Sequence, residues 1–132
     1  MTKGIEMSAF KLLCYSCGLT KGDAVEFLKV NENNALSWWL GRRPCPPGVL
    51  EQLRKLFDLI DRAAVKLAQR IEAEAEKADI ELEVVATDKE AEALGLPTVG
   101  AHEAMFRRVL EILPPAVALR VKVVKPGDFK IP

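Results

Sequence analysis

Histidine is nearly absent from this sequence: His102 stands alone, beside three cysteines at Cys14, Cys17 and Cys45. A structural zinc centre takes four such ligands. Cys14 and Cys17 have ligand spacing, but Cys45 and His102 fall in unrelated elements, so no metal is expected. Cys14 and Cys17 also share one face of an apolar helix, where cysteine behaves as a small hydrophobe. A Gly-rich phosphate loop is missing, and so are paired catalytic carboxylates. His102 begins a helix and reads as a surface residue with no nucleophile beside it. No catalytic residue and no cofactor is therefore predicted, and an enzyme using His102 with Cys45 or a carboxylate ranks last. No apolar run approaches the roughly 20 residues that span a bilayer, so no membrane partner is expected. The opening MTKGIEMSAFKLL lacks the apolar stretch of a signal peptide. With an odd cysteine count, this predicts a cytoplasmic chain with free thiols.

Net charge is lacking too, with 19 basic and 19 acidic residues, but the balance is uneven along the chain. Residues 1–70 hold 11 Lys/Arg against 7 Asp/Glu, and residues 71–132 hold 8 against 12. Such a split hints at a polyanion-binding half joined to a half with another task. At 132 residues, 49% hydrophobic and 29% charged, the chain can form one domain or a small domain with an appendage.

The apolar pattern predicts helices first. Phe10, Leu13, Cys14 and Cys17 recur at helical spacing over 7–18, and Gly18 is a natural stop. Thr20 caps the next helix, with Asp23 making an imperfect capping box; Ala24, Val25, Phe27 and Leu28 face inward until Lys29-Val30. Asn31 caps a third helix, with Ala35 and Trp38 inward and Gly41 closing it. Trp39 is left open between the inward side of its helix, the connecting helix, a partner subunit and a sugar-phosphate edge. Prolines 44, 46 and 47 delay the next helix to about Pro47-Gly48. From there Leu50, Leu53, Leu56, Phe57, Ile60, Ala64, Leu67 and Ile71 mark a long connecting helix reaching about Ala78. Residues 80–87 and 116–125 alternate as strands. A short helix over 88–95, an LPTVG turn and a helix over 101–113 lie between, the last with Ala104, Met105, Val109, Leu110 and Leu113 inward. Pro114-Pro115 breaks that helix, and the tail PGDFKIP is loose. The fold class is mainly α with a small α/β C-terminal part. The domains are 1–78, helices with the connecting helix, and 79–132, a two-strand, two-helix unit.

The stretch LTKGDAVEFLKVNENNALSWWLGRRPCPPGVLEQLRKLF, Leu19 to Phe57, places Leu19, Thr20, Leu28, Val30, Trp38, Gly41, Arg42, Arg43 and Pro44 in one ungapped register. In that register it resembles the lambda-repressor/Cro-like family, the XRE-type helix-turn-helix, over residues 7 to about 60. It is similar, more loosely, to the larger anti-CRISPR-associated autorepressors, which carry an appended C-terminal dimerisation unit. The resemblance implies that the helix after Asn31 enters the DNA major groove. It puts Asn31, Glu32, Asn33 and Ser37 at base-facing places, with Asn34 beside them, and Thr20, Lys21, Arg42 and Arg43 on the backbone. Asparagine can pair with adenine N6 and N7, and glutamate can accept from cytosine N4. Against this stands a plainer reading, in which Asn31 to Asn34 only cap a helix and face water. The sequence also departs from the family: Lys21 replaces a usual glutamine, Glu32 faces a polyanion, and Trp39 stands where a charge is common.

One such domain would hold a half-site weakly, so a dimer on an inverted repeat of double-stranded DNA is expected. The C-terminal unit is the natural dimerisation element, because two strands alone need partner strands. The function expected is a DNA-binding transcriptional regulator, most simply a dimeric autorepressor. A protein-interaction module on the same fold, an antitoxin or antiactivator, is the alternative.

Overall fold

The computed structural model describes residues 7–74 and 79–126, and is mainly helical with a small two-stranded parallel sheet near its C-terminal end. It divides into two compact units, Met1–Phe57 and Asp58–Pro132. Among the described residues no helix is long and apolar enough to cross a membrane.

The first unit holds α1 (Ala9–Ser16), α2 (Lys21–Leu28) and α3 (Glu32–Trp39). Each helix is eight residues long, marginal alone in water, so caps and packing carry them. Ser8 caps α1 by accepting from the Lys11 N–H. Thr20 and Asp23 make both bonds of a full capping box at α2, more than the imperfect one expected from sequence. The Asn31 side chain accepts from the N–H groups of Asn33 (2.8 Å) and Asn34 (3.2 Å) at the start of α3. Two of the three helix ends use glycine at positive φ, Gly18 (70°) and Gly41 (75°). At Gly41 the Arg42 N–H reaches the Ser37 carbonyl (2.9 Å) and the Gly41 N–H that of Trp38 (3.2 Å), a Schellman closure. The end of α2 differs: Lys29 itself sits left-handed, at φ 55° and ψ 48°.

Helices α1, α2 and α3 pack on one another, burying Phe10, Cys14, Cys17, Leu19, Ala24, Leu28, Ala35 and Trp38. Phe10 and Trp38 meet edge to face at 5.5 Å, the arrangement their ring quadrupoles favour. The Cys17 thiol donates to the Leu53 carbonyl at 3.3 Å. Helix α4 (Pro47–Glu74) begins in this unit with Leu53 and Leu56 buried and continues into the second. The continuation expected to Ala78, and the tail from Gly127, lie outside the described residues.

In the second unit α4 contributes Ala64, Ala68 and Ile71 to a core shared with Val109 and Leu113. Strand β1 (Ile80–Glu83), α5 (Asp88–Ala93), α6 (Val99–Ile112), α7 (Pro115–Ala118) and β2 (Val121–Val124) follow. β1 and β2 pair in parallel, with Ile80 beside Val121 and Leu82 beside Val123. Three of the boundaries that depart from the sequence expectations have a visible cause. β1 stops at Glu83 because the Val85 N–H turns to His102 Nδ1 (3.1 Å) and the Ala86 N–H to Glu90 (3.3 Å). α6 starts at Val99, not 101, because the Thr98 hydroxyl caps the Ala101 N–H (3.0 Å). The strand expected over 116–125 is confined to Val121–Val124, because Pro115–Ala118 form a helical turn, with the Pro114 carbonyl accepting from Val117 and Ala118 (both 2.9 Å). Arg108 ties α6 to α4 through Asp61 at 2.6 Å.

Candidate nucleic-acid interface

Helix α3 has two unlike faces. Ala35 is fully buried and Trp38 nearly so. Trp39 lies between, packed on α1: its ring meets Tyr15 at 5.6 Å and Phe10 at 6.2 Å. The Lys11 ammonium lies 5.6 Å from the same ring, and the Ser8 hydroxyl donates to the Trp39 carbonyl at 3.1 Å. Of the placements open for Trp39, the inward side of its helix is the one the structure shows, with α1 as the surface it meets. One face is thus anchored by an alanine that allows close approach and two indoles that cover area.

The other face presents Asn33 and Ser37 one helical turn apart, Asn33 exposed and Ser37 half-buried. Leu36 and Leu40 share this face by the same spacing, Leu40 at 52% exposure. Neither leucine stands out by residue type, although steps of three and four residues from Asn33 lead to them. Glu32 is exposed at the first position of α3, where the positive end of the helix dipole favours a carboxylate.

Asn31 and Asn34 are more constrained than Asn33. Asn31 Oδ1 already accepts two backbone N–H groups, which fills the lone pairs an adenine N6 donor would need. Asn34 Oδ1 accepts from the Arg43 guanidinium at 3.1 Å, so these two expected contact residues hold each other. Thr20 is likewise committed: its Oγ1 accepts the Asp23 N–H, and its own N–H donates to Asp23 Oδ2, both at 3.1 Å. The Thr20 hydroxyl proton remains to donate.

The cations are exposed. Lys21 opens α2, Lys29 sits at the α2–α3 turn, and Arg42 and Arg43 follow α3. Among the described residues, Lys21, Lys29 and Arg42 form no ion pair. Lys29 was not among the residues singled out from sequence; only the left-handed turn brings it between the two helices. This arrangement offers a rigid helix face with amide, hydroxyl and apolar groups, set among point charges able to meet phosphate.

The three cysteines and His102 are the remaining chemistry-bearing groups. Burial pushes the Cys14 and Cys17 thiols up to about 12 and that of Cys45 to about 11, which makes thiolate chemistry unfavourable near neutrality. His102, expected at the surface, is 5% exposed. It packs on Phe106 at 4.5 Å and accepts the Val85 N–H. Burial lowers its pKa, with Glu103 opposing. Among the described residues no cluster of three His, Cys, Asp or Glu could hold a metal ion. Compared with known families and with curated proteins, the sequence matches none.

Proposed function

We propose that this protein is a sequence-specific, dimeric DNA-binding regulator of the XRE helix-turn-helix kind, acting as a repressor, and that α3 is its recognition helix. The observation that carries the reading is the division of α3. Ala35, Trp38 and Trp39 lock one side to the domain, and Asn33 and Ser37 face outward among cations that form no ion pair with the described residues. A helix held this way has a fixed orientation, as base readout requires.

In this reading Asn33 makes the paired adenine contact, because its side-chain oxygen is not used as a cap. Ser37 adds a hydrogen bond, and Leu36 and Leu40 suit thymine methyl groups. Lys21, Lys29 and Arg42 meet phosphates. Arg43 positions Asn34 and adds charge. Asn31 and Thr20 act first as caps and contact DNA only through their remaining donors. Two subunits place two α3 helices about 34 Å apart on an inverted repeat. Repression follows from occupying a promoter that overlaps that repeat. No catalytic residue and no cofactor has a part in this mechanism.

Fluorescence anisotropy with DNA from upstream of its own gene, against a scrambled duplex at two salt concentrations, tests the proposal. The upstream DNA is expected to bind more tightly, and binding should weaken with salt. Asn33→Ala should cost roughly 1–3 kcal/mol on the specific duplex only. Arg42→Ala should weaken both duplexes and flatten the salt slope by about 2, one contact from each subunit. Equal binding to both duplexes by the wild type and by Asn33→Ala would refute sequence-specific readout. It would favour the protein-interaction module on the same helices.

A further inference from the structure

The outer edge of β2 is chemically unlike the outer edge of β1. The Ile80 N–H donates to the Arg120 carbonyl (3.0 Å) and the Val84 N–H to the Val124 carbonyl (2.8 Å). Bonding residues alternate along a strand, so Lys122 and Val124 turn their backbone toward β1, and Val121 and Val123 turn theirs away. A four-residue edge with two outward valines is a template for another strand. Val123 is 40% exposed although it shares the core side of the sheet with Leu82. Beside it lies an apolar groove of about 270 Å³, lined by Val84, Phe106, Leu110 and Val123 and flanked by Arg107 and the Lys125–Glu103 pair.

The β1 edge is closed to self-association. Its outward backbone belongs to Glu81 and Glu83, and the next outward N–H, that of Val85, is taken by His102. Antiparallel pairing of β1 with its own copy centred on residue 81, 82 or 83 sets a carboxylate opposite a carboxylate, which is unfavourable. On β2 charge and strand length together choose a register: centring on Val124 also faces no like charges, but it opposes Lys122 to Pro126 and leaves Val121 no partner among the described residues. Centring on Lys122 opposes two lysines, and centring on Val121 opposes Lys122 to Arg120. Centring on Val123 opposes Val123 to Val123, Lys122 to Val124 and Val121 to Lys125, with no like charges facing.

We propose that β2 is a homodimer interface: two copies pair β2 antiparallel about a two-fold axis at Val123, making one four-stranded sheet in the order β1-β2-β2-β1. This deepens the dimeric part of the reading above by naming its surface, and rests on that part alone. A two-fold contact closes on itself, whereas β2 on the β1 of another copy would propagate as a fibre. The pairing covers Val123 and brings the two apolar grooves together at the axis.

Sedimentation of the full chain without DNA, at micromolar concentration, tests the interface. Wild type is expected at twice the 14.6 kDa chain mass. Val123→Pro removes the N–H that bonds across the axis and should sediment as one chain with its helical circular dichroism unchanged. Val123→Lys sets two ammonium groups opposite each other and should raise the dissociation constant roughly tenfold or more. Amide hydrogen exchange supplies a readout that does not depend on a variant folding: in wild type, Val121 and Val123 should exchange slowly while Glu81 and Glu83 exchange fast. A one-chain mass for wild type, a dimeric Val123→Pro, or fast exchange at Val121 and Val123 would each overturn the interface. A dimer through β2 that ignores DNA would leave this inference standing and remove the repressor; a DNA-binding dimer that Val123→Pro leaves intact would remove this surface and leave the repressor standing.

Discussion

Lys29 is a non-glycine residue held left-handed, at φ 55° and ψ 48°, where α2 ends. Such a conformation costs an L-residue about 1–2 kcal/mol. Glycine removes that strain but loses about 0.5–1 kcal/mol more in backbone entropy on folding. Lys29 is exposed, and the backbone bond from its N–H to the Val25 carbonyl needs no side chain. The net expectation for Lys29→Gly is a gain of roughly 0.5–1 kcal/mol. For a unit of this size that shifts the melting temperature upward by about 3–6 °C. Trp38 and Trp39, the two tryptophans of the chain, both lie in α3, so intrinsic fluorescence reports melting of the first unit. Lys29→Asn should fall between wild type and glycine, since asparagine tolerates this region better than lysine. DNA affinity should move the opposite way, because Lys29 is one of the proposed phosphate contacts. A melting temperature equal to or below wild type in Lys29→Gly would refute the strain argument. Unchanged affinity with raised stability would remove Lys29 from the interface and leave that argument intact.

Three further outcomes are expected. Asn31→Ala should destabilise the first unit by about 1 kcal/mol, and Asn31→Ser should restore most of it, read by urea titration of the tryptophan signal; no loss in the alanine variant would mean that the cap carries no weight. His102 has a lowered pKa when folded, so between its folded value and about 6.5 the unfolded chain binds more protons and stability rises with pH. Its contribution is therefore complete above about 6.5 and declines as pH falls through that window, and His102→Gln should flatten the dependence in a pH series of melting curves. A coloured thiol reagent on the native protein near neutral pH should label Cys45 slowly and leave Cys14 and Cys17 untouched until denaturant is added, since both are fully buried; rapid native labelling of all three thiols would contradict the α1 packing.

Much of the first unit was legible because its signals are local. Ser and Asn compete for backbone N–H groups at helix starts, and glycine relieves the left-handed stop at helix ends. Thr20, Asn31, Gly18 and Gly41 stand where those rules place them. The inward positions of Ala35 and Trp38 followed from helical period alone. The second unit was read less well. Residues 116–125 alternate in the manner of a strand, yet Pro115 at the first helical position and the Pro114 carbonyl close a turn over the first of them. His102 looked like a surface residue because its two contacts, the Val85 N–H and the Phe106 ring, come from a distant loop and the next turn of its helix.

Within the candidate interface, sequence marked the polar row and the arginine pair but could not rank them. Asn31, Asn33 and Asn34 are the same residue type, and pattern treats them alike. Structure separates them by what each side-chain oxygen already holds: two backbone donors for Asn31 and Arg43 for Asn34. Residue type and spacing alone determined the helices of the first unit, where they are capped and which stripe of α3 faces inward, since these depend on neighbours within a few positions. The packing of Trp39 on α1, the parallel pairing of β1 with β2 and the burial of His102 depend on residues far apart in the chain. Their free energy is gained only when those segments meet, so tertiary structure alone decided them.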